Sequence, residues 1–247
     1  PLLAKQASQT RQEVYIWGRR QCIPGGAMED VLRPQRAEWF ESSAVRWQKL
    51  AFGPNFGAAL DEKGTLFVWG EGAAGSAPVG PLQVDAQGEG RGRSFVDAQC
   101  ATDKIVALTT GGQVVVFDNI SGVLTECAAS GANPQPPLRL RGGLVPGMPQ
   151  PGWLSGSSKV AQMSIGPSHA AFVTQGGEVF CVGDNQWGQC GAVPPKQKIV
   201  RGAYEDRSGF QLTSANKVTF PPEAGRITQV SVGGRHTICR NAAGGTY

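Results

Sequence analysis

Four segments of this chain obey one grammar, and a repeat of that kind constrains the fold before any single residue is weighed. The clearest reads KVAQMSIGPSHAAFVTQGGEVFCVGD, residues 159–184. The others are WQKLAFGPNFGAALDEKGTLFVWGE, FVDAQCATDKIVALTTGGQVVVFDN and RITQVSVGGRHTICRNAAGGTY. A small residue opens the register at Gly53, Ala101, Gly166 and Gly233. Three residues later come Phe56, Lys104, His169 and His236, and eight further on a turn glycine, at Gly64, Gly112, Gly177 and Gly244. Ahead of the small residue stand two apolar columns: Leu50, Ala98, Met163 and Val230, then Phe52, Cys100, Ile165 and Val232. Alternation of that period marks a strand with one buried face, predicting burial of Met163, Ile165, Val230 and Val232 between neighbouring units. A second apolar strand, at 58–60, 106–108 and 171–173, runs into the turn glycine, which supplies the positive φ of a tight hairpin. Third strands end at Trp17-Gly18, Trp69-Gly70, Phe117-Asp118 and Val182-Gly183. Strand-only units recurring about every 50 residues are the blades of a β-propeller.

The stretch GEVFCVGDNQWGQCG, residues 177–191, narrows this further. Gly166, His169, Gly183, Asn185, Gly188, Gln189 and Gly191 fit the repeat of the regulator-of-chromosome-condensation family, with Cys190 where leucine is usual. The chain resembles that family along most of its length, most strongly in the last two segments and least in the second. The resemblance implies a seven-bladed propeller. The expected fold is all-β, a propeller of four-stranded antiparallel blades, with about four and a half blades present of seven. Residues 1–247 read as one domain that is incomplete, because Tyr247 aligns with Phe180 in mid-strand and would leave a bare edge. Loop insertions fall near 27–45, 72–94, 119–158 and 192–225. The first has room for a short helix near 37–45. The third, rich in Pro and Gly, reads as a loop whose removal over 134–156 spares the propeller.

Composition supports many short strands: 35 of 247 residues are Gly, roughly twice average usage, and 17 are Pro. A formal charge of +4 is too mild to announce nucleic acid by itself. The local bias is sharper, since residues 127–177 hold Arg139, Arg141 and Lys159 and no acid. With Lys196, Lys198 and Arg201 in the last insertion, these are the candidate contacts for a protein partner or RNA. The six cysteines form no C-x-x-C pair and read as reduced, intracellular thiols. No apolar run is long enough to span a membrane, so no membrane insertion is expected.

Several tempting motifs fail on chemistry. Residues 70–75 fit G-x-G-x-x-G, but Ser76-Ala77-Pro78-Val79-Gly80-Pro81 follows where a dinucleotide site needs a helix. His169 and His236 occupy one repeat position and so lie a blade apart, which suits a structural hydrogen bond better than a shared metal. No nucleophile elbow or linked Ser-His-Asp set is present. No catalytic, cofactor or metal residue is therefore assigned. The expected function is a non-catalytic scaffold within a larger protein or ribonucleoprotein assembly. Residues 185–191 are similar to a variant in mitochondrial family members linked to large-ribosomal-subunit biogenesis, which makes rRNA a candidate partner and the mitochondrion a candidate compartment, with nucleus and cytoplasm open. The alternative the resemblance offers is guanine-nucleotide exchange on a small GTPase, although no loop here matches the exchange residues.

Overall fold

The repeat register becomes a row of blades. A computed structural model of the chain describes residues 13–24, 29–42, 45–72, 78–131, 136–149, 156–193 and 211–247. Blade one contributes β1 (Tyr15–Gly18) and β2 (Val31–Arg36), followed by helix α1 (Glu38–Ser42). Blade two is β3 (Trp47–Phe52), β4 (Phe56–Asp61), β5 (Leu66–Gly70) and β6 (Val79–Gly88). Blade three is β7 (Phe95–Cys100), β8 (Lys104–Thr109), β9 (Val114–Asp118) and β10 (Leu138–Leu144), with helix α2 (Ile120–Ala129) between its last two strands. Blade four is β11 (Val160–Ile165), β12 (His169–Thr174), β13 (Val179–Asp184) and β14 (Gln211–Lys217). Blade five shows β15 (Ile227–Val232) and β16 (Thr237–Asn241). Within each blade the strands pair antiparallel in sequence order, as the propeller reading expects.

The four hairpins at the turn glycines close in the same way. The side chains of Asp61, Thr109, Thr174 and Asn241 accept hydrogen bonds from the backbone N–H groups of Thr65, Gln113, Glu178 and Gly245, at 2.7, 3.0, 3.1 and 2.6 Å. All four accepting side chains are buried, so each bond satisfies a polar atom that has left water. The turn glycines Gly64, Gly112, Gly177 and Gly244 hold φ of +77°, +82°, +89° and +91°. Space matters as much as φ. A Cβ on Gly64 would stand 2.6 Å from Phe95 O, and one on Gly177 3.0 Å from Ile227 O, both on the next blade. At the opposite, loop face, the N–H groups of Gly53, Ala101, Gly166 and Gly233 each donate to the carbonyl three residues on, at 2.8, 2.9, 2.9 and 2.9 Å.

Middle strands carry the core. Every residue of β4 and β12 is buried, because these strands are covered by a neighbouring blade on each face. Of the two predicted columns, Ala98, Met163 and Val230 are buried, whereas Cys100, Ile165 and Val232 are only half-buried and Phe52 is exposed. The second column falls on the last residue of each inner strand, where the blades splay and water enters. Inner strands are joined by polar side chains. Lys49 pairs with Asp97 at 2.8 Å. Gln99 donates to Met163 O and accepts from Ile165 N, while Gln162 donates to Val230 O and accepts from Val230 N.

The stretches read as loop insertions hold the outer strands, and one departs sharply from expectation. Residues 119–158 contain α2 and β10 rather than a featureless loop. Leu138 and Leu140 alternate with exposed Arg139 and Arg141, a period-two pattern masked by its Pro/Gly surroundings. β10 pairs antiparallel with β9 through 142–144, and parallel with β6 through 138–142. Blades two and three are thereby one eight-stranded sheet. Deleting 134–156 would remove that strand, so the expectation that the propeller survives the deletion is withdrawn.

Candidate functional site

At the loop face one seam between blades is built differently from its neighbours. Between blades two and three, Phe56 of β4 and Ile120 and Leu124 of α2 are fully buried in a common core. The inner strands approach so closely that a Cβ on Gly53 would lie 3.1 Å from Ala101 O. Between blades four and five, a Cβ on Gly166 would lie 2.8 Å from Gly233 O, and buried His169 and Cys190 fill the gap.

At the seam between blades three and four the equivalent residues are Ala101, Lys104 and Asp118. Ala101 brings a methyl group where the other two seams need glycine. Lys104 does not enter the seam. Its ammonium turns outward to Asp118, at 2.6 Å, and both side chains are more than half exposed. Nor does the chain leaving β9 cover the gap. Asn119, at φ +59°, turns it into α2, which packs back against β6 and β10. Among the described residues, what remains is a cleft of about 530 Å³. It runs from Ala101 and Ile165 at the inner strands to Leu144 and Leu212 near the rim, over walls that include Val116 and Phe172.

Beside this cleft, residues 184–192 form a loop braced from within. Cys190 N donates to Asn185 Oδ1 at 2.9 Å, Asn185 Nδ2 to Ala192 O at 3.0 Å, and Gln189 Nε2 to Asp184 Oδ2 at 3.1 Å. Trp187 N donates to Gln189 Oε1, leaving the indole 59% exposed. The Arg235 guanidinium from blade five lies 5.6 Å from the centre of that ring. A rigid exposed indole under an arginine is a common composition for an interface anchor. Desolvation keeps the His169 imidazole below its ordinary pKa, against the opposing pull of Asp184. The Cys181 thiol is pushed up by its hydrogen bond with Cys190 and by burial, and Cys100 and Cys239 are pushed up to about 12 and about 11 by burial. These are packed thiols with little thiolate character.

The basic residues anticipated from sequence are not gathered into one patch. Arg139 and Arg141 project into solvent from one face of β10, Arg139 standing 3.7 Å from Asp85 and largely exposed. Lys159 is half-buried at the hairpin face, its carbonyl accepting from Gln175 N at 2.7 Å. Lys196, Lys198 and Arg201 lie outside the described residues. Residues 70–75 lie partly outside them too, but Gly70 ends β5 and starts no helix. Among the described residues no group of three His, Cys, Asp or Glu is placed to hold a metal, and no helix is long and apolar enough to cross a membrane. The cleft itself was missed from sequence. Its trace was there, in Ala101, Lys104 and Asp118 each breaking the repeat within one segment.

Blade order, seam glycines and the braced loop define a β-propeller. Residues 160–189 and 176–240 match models of the regulator of chromosome condensation (RCC1) repeat. The Ultraviolet-B receptor UVR8 of Arabidopsis thaliana is 27% identical over 235 residues, covering 92% of this chain and 46% of the receptor. Human WBSCR16 superposes with a TM-score of 0.63 at 20% identity, over 94% of this chain and 54% of that one. Prp20p of Saccharomyces cerevisiae gives 0.64 at 17% identity, over 96% and 53%. The chain thus spans about half the length of the relatives it matches.

Proposed function

We propose that the protein is a non-catalytic propeller scaffold that holds protein partners on its loop face. The observation that carries this reading is Trp187, held 59% exposed by a loop whose own side chains satisfy its backbone, with Arg235 across it. Such a surface loses little conformational freedom on binding, which favours a specific interface. The work describing Prp20p reports its binding to Gsp1p and histones, so a propeller of this shape supports protein recognition in that relative. For this chain the partners belong to an intracellular ribonucleoprotein assembly, with ribosome assembly in the mitochondrion as the specific setting. The support is the likeness of residues 185–191 to mitochondrial family members, together with the exposed Arg139 and Arg141 on the rim. Arg139, Arg141, Lys159, Lys196, Lys198 and Arg201 are the basic side chains assigned to that contact.

The test compares the complete protein with its Trp187→Ala, Arg235→Ala double variant, both recovered from cells at low salt. We expect ribosomal proteins and rRNA with the parent, and at least about tenfold less with the variant, since anchors of this type contribute about 2 kcal/mol or more. Equal recovery would reject the loop face as the interface. Rapid nucleotide release from a copurifying small GTPase, at catalytic amounts of the propeller, would replace the scaffold reading with exchange.

A further inference from the structure

We propose that the groove between blades three and four receives a loop of a partner protein: a short polar turn that buries one aliphatic side chain. It would sit there as residues 185–191 of this chain sit one seam further round. The inference rests on the scaffold reading and names the kind of segment this part of the loop face takes.

The repeat register sets the correspondence. Counting from the turn glycines, Val116 of β9 takes the place of Cys181 of β13, and Phe172 of β12 takes the place of Cys239 of β16. Between blades four and five, Cys181 and Cys239 belong to one buried cluster, and the side chain completing it is Cys190, delivered by the loop after β13. Between blades three and four, Val116 and Phe172 line the open groove. Among the described residues the connection from β9 to β10 delivers no side chain there, because it became α2 and packs into the preceding seam. This chain therefore shows, on its own backbone, what occupies a seam of this geometry.

The differences between the seams specify the occupant. Valine and phenylalanine replace two thiols, so the anchor is more apolar than cysteine. Thr237, whose hydroxyl donates to the loop carbonyl of Gln189 at 2.8 Å, corresponds to Ala170, so this groove lacks the built-in backbone clasp. A guest is held by its anchor and by the mouth instead. There Lys104 and Asp118 offer one charge of each sign, paired with each other and more than half exposed. Ser168, Gln211 and Thr213 line the groove beside Val116, Ile165 and Leu212, which suits an apolar side chain carried on a polar turn.

The probe is a synthetic peptide of residues 184–193 carrying Cys190→Leu, titrated to about 1 mM into the methyl-labelled complete protein. We expect saturable methyl shifts confined to Val106, Val116, Ile165 and Leu212. A second peptide with Cys190→Asp should bind at least tenfold more weakly, as the anchor is then charged. No saturable shift, shifts mapping to another seam, or equal binding of the two peptides would each overturn the inference. Because only the peptide is changed, none of these results depends on a variant protein folding. Loss of cellular partners in the Trp187→Ala, Arg235→Ala variant, together with failure of the peptide, would remove the groove and leave the scaffold reading standing.

Discussion

The Nε2 atom of His169, in blade four, lies 2.8 Å from Thr237 Oγ1, in blade five. The single hydroxyl proton of Thr237 goes to Gln189 O, also at 2.8 Å. The threonine oxygen must then accept, so Nε2 of the imidazole carries a proton and donates it. A histidine, a threonine and a loop carbonyl thus tie two blades and the Asn185 turn in one line.

Removing the first member should loosen that tie. His169→Ala leaves the threonine oxygen short of a donor and opens space at a site only 3% exposed, for a loss of about 1–3 kcal/mol in chemical denaturation. The pH dependence has a definite sign. Desolvation places the folded-state pKa below the unfolded one, so the unfolded chain binds the proton first as pH falls. His169 therefore contributes its full share above the ordinary histidine pKa, and that share is lost as pH falls toward the lowered folded value. Unfolding curves between pH 8 and 5 should show a smaller loss of stability in His169→Gln than in the parent, with the sequence otherwise unchanged. Parallel curves would rule out this role.

The side-chain amides of Gln99 and Gln162 each bridge to the inner strand of the next blade, using both their donor and their acceptor. Alanine at either position strands two backbone groups and should cost about 1–3 kcal/mol. The Gln162→Glu variant is the sharper probe. A carboxylate still accepts from Val230 N but has no proton for Val230 O, and two acceptors then face each other. Urea midpoints should place Gln162→Glu at or below Gln162→Ala near neutral pH, and above it once the carboxyl is protonated.

Gly70 and Asp118 hold the same repeat position with opposite requirements. Gly70 sits at φ +137°, and a Cβ there would come within 2.5 Å of Phe56 Cα. The substitution Gly70→Ala should cost at least about 2 kcal/mol from backbone strain and overlap. Asp118→Gly removes only an exposed ion pair and adds backbone freedom, for about 0.5–1 kcal/mol. Thermal unfolding of the two variants side by side would expose an error if their order reversed.

Inner and middle strands were legible in sequence because each shows its apolar column or buried run, repeated in register. Outer strands were not. β14 reads QLTSANK with no apolar alternation, and β6 is interrupted by Pro81, since an outer strand is covered on less of its surface and its composition is freer. In β10 the Leu138 and Leu140 pattern was present but short, and its partner strand is remote in sequence. The cleft was harder still. Ala101, Lys104 and Asp118 stood out as exceptions to the register, yet a gap depends on where the neighbouring chain goes. That was decided by the left-handed turn at Asn119 and by Ile120 and Leu124 finding a core on the blade-two side.

The parallel pairing of β6 with β10 also has a mechanical meaning. Five residues of one blade's outermost strand are laced to those of the next, so pulling blades two and three apart means shearing a ladder rather than parting two packed faces. No such lacing joins blade three to blade four, whose sheets are separate among the described residues. Among the described blades stiffness is therefore uneven, with a laced pair of blades abutting an unlaced joint. A load applied at the rim would be taken up first at that joint, which is also where the loop face is open.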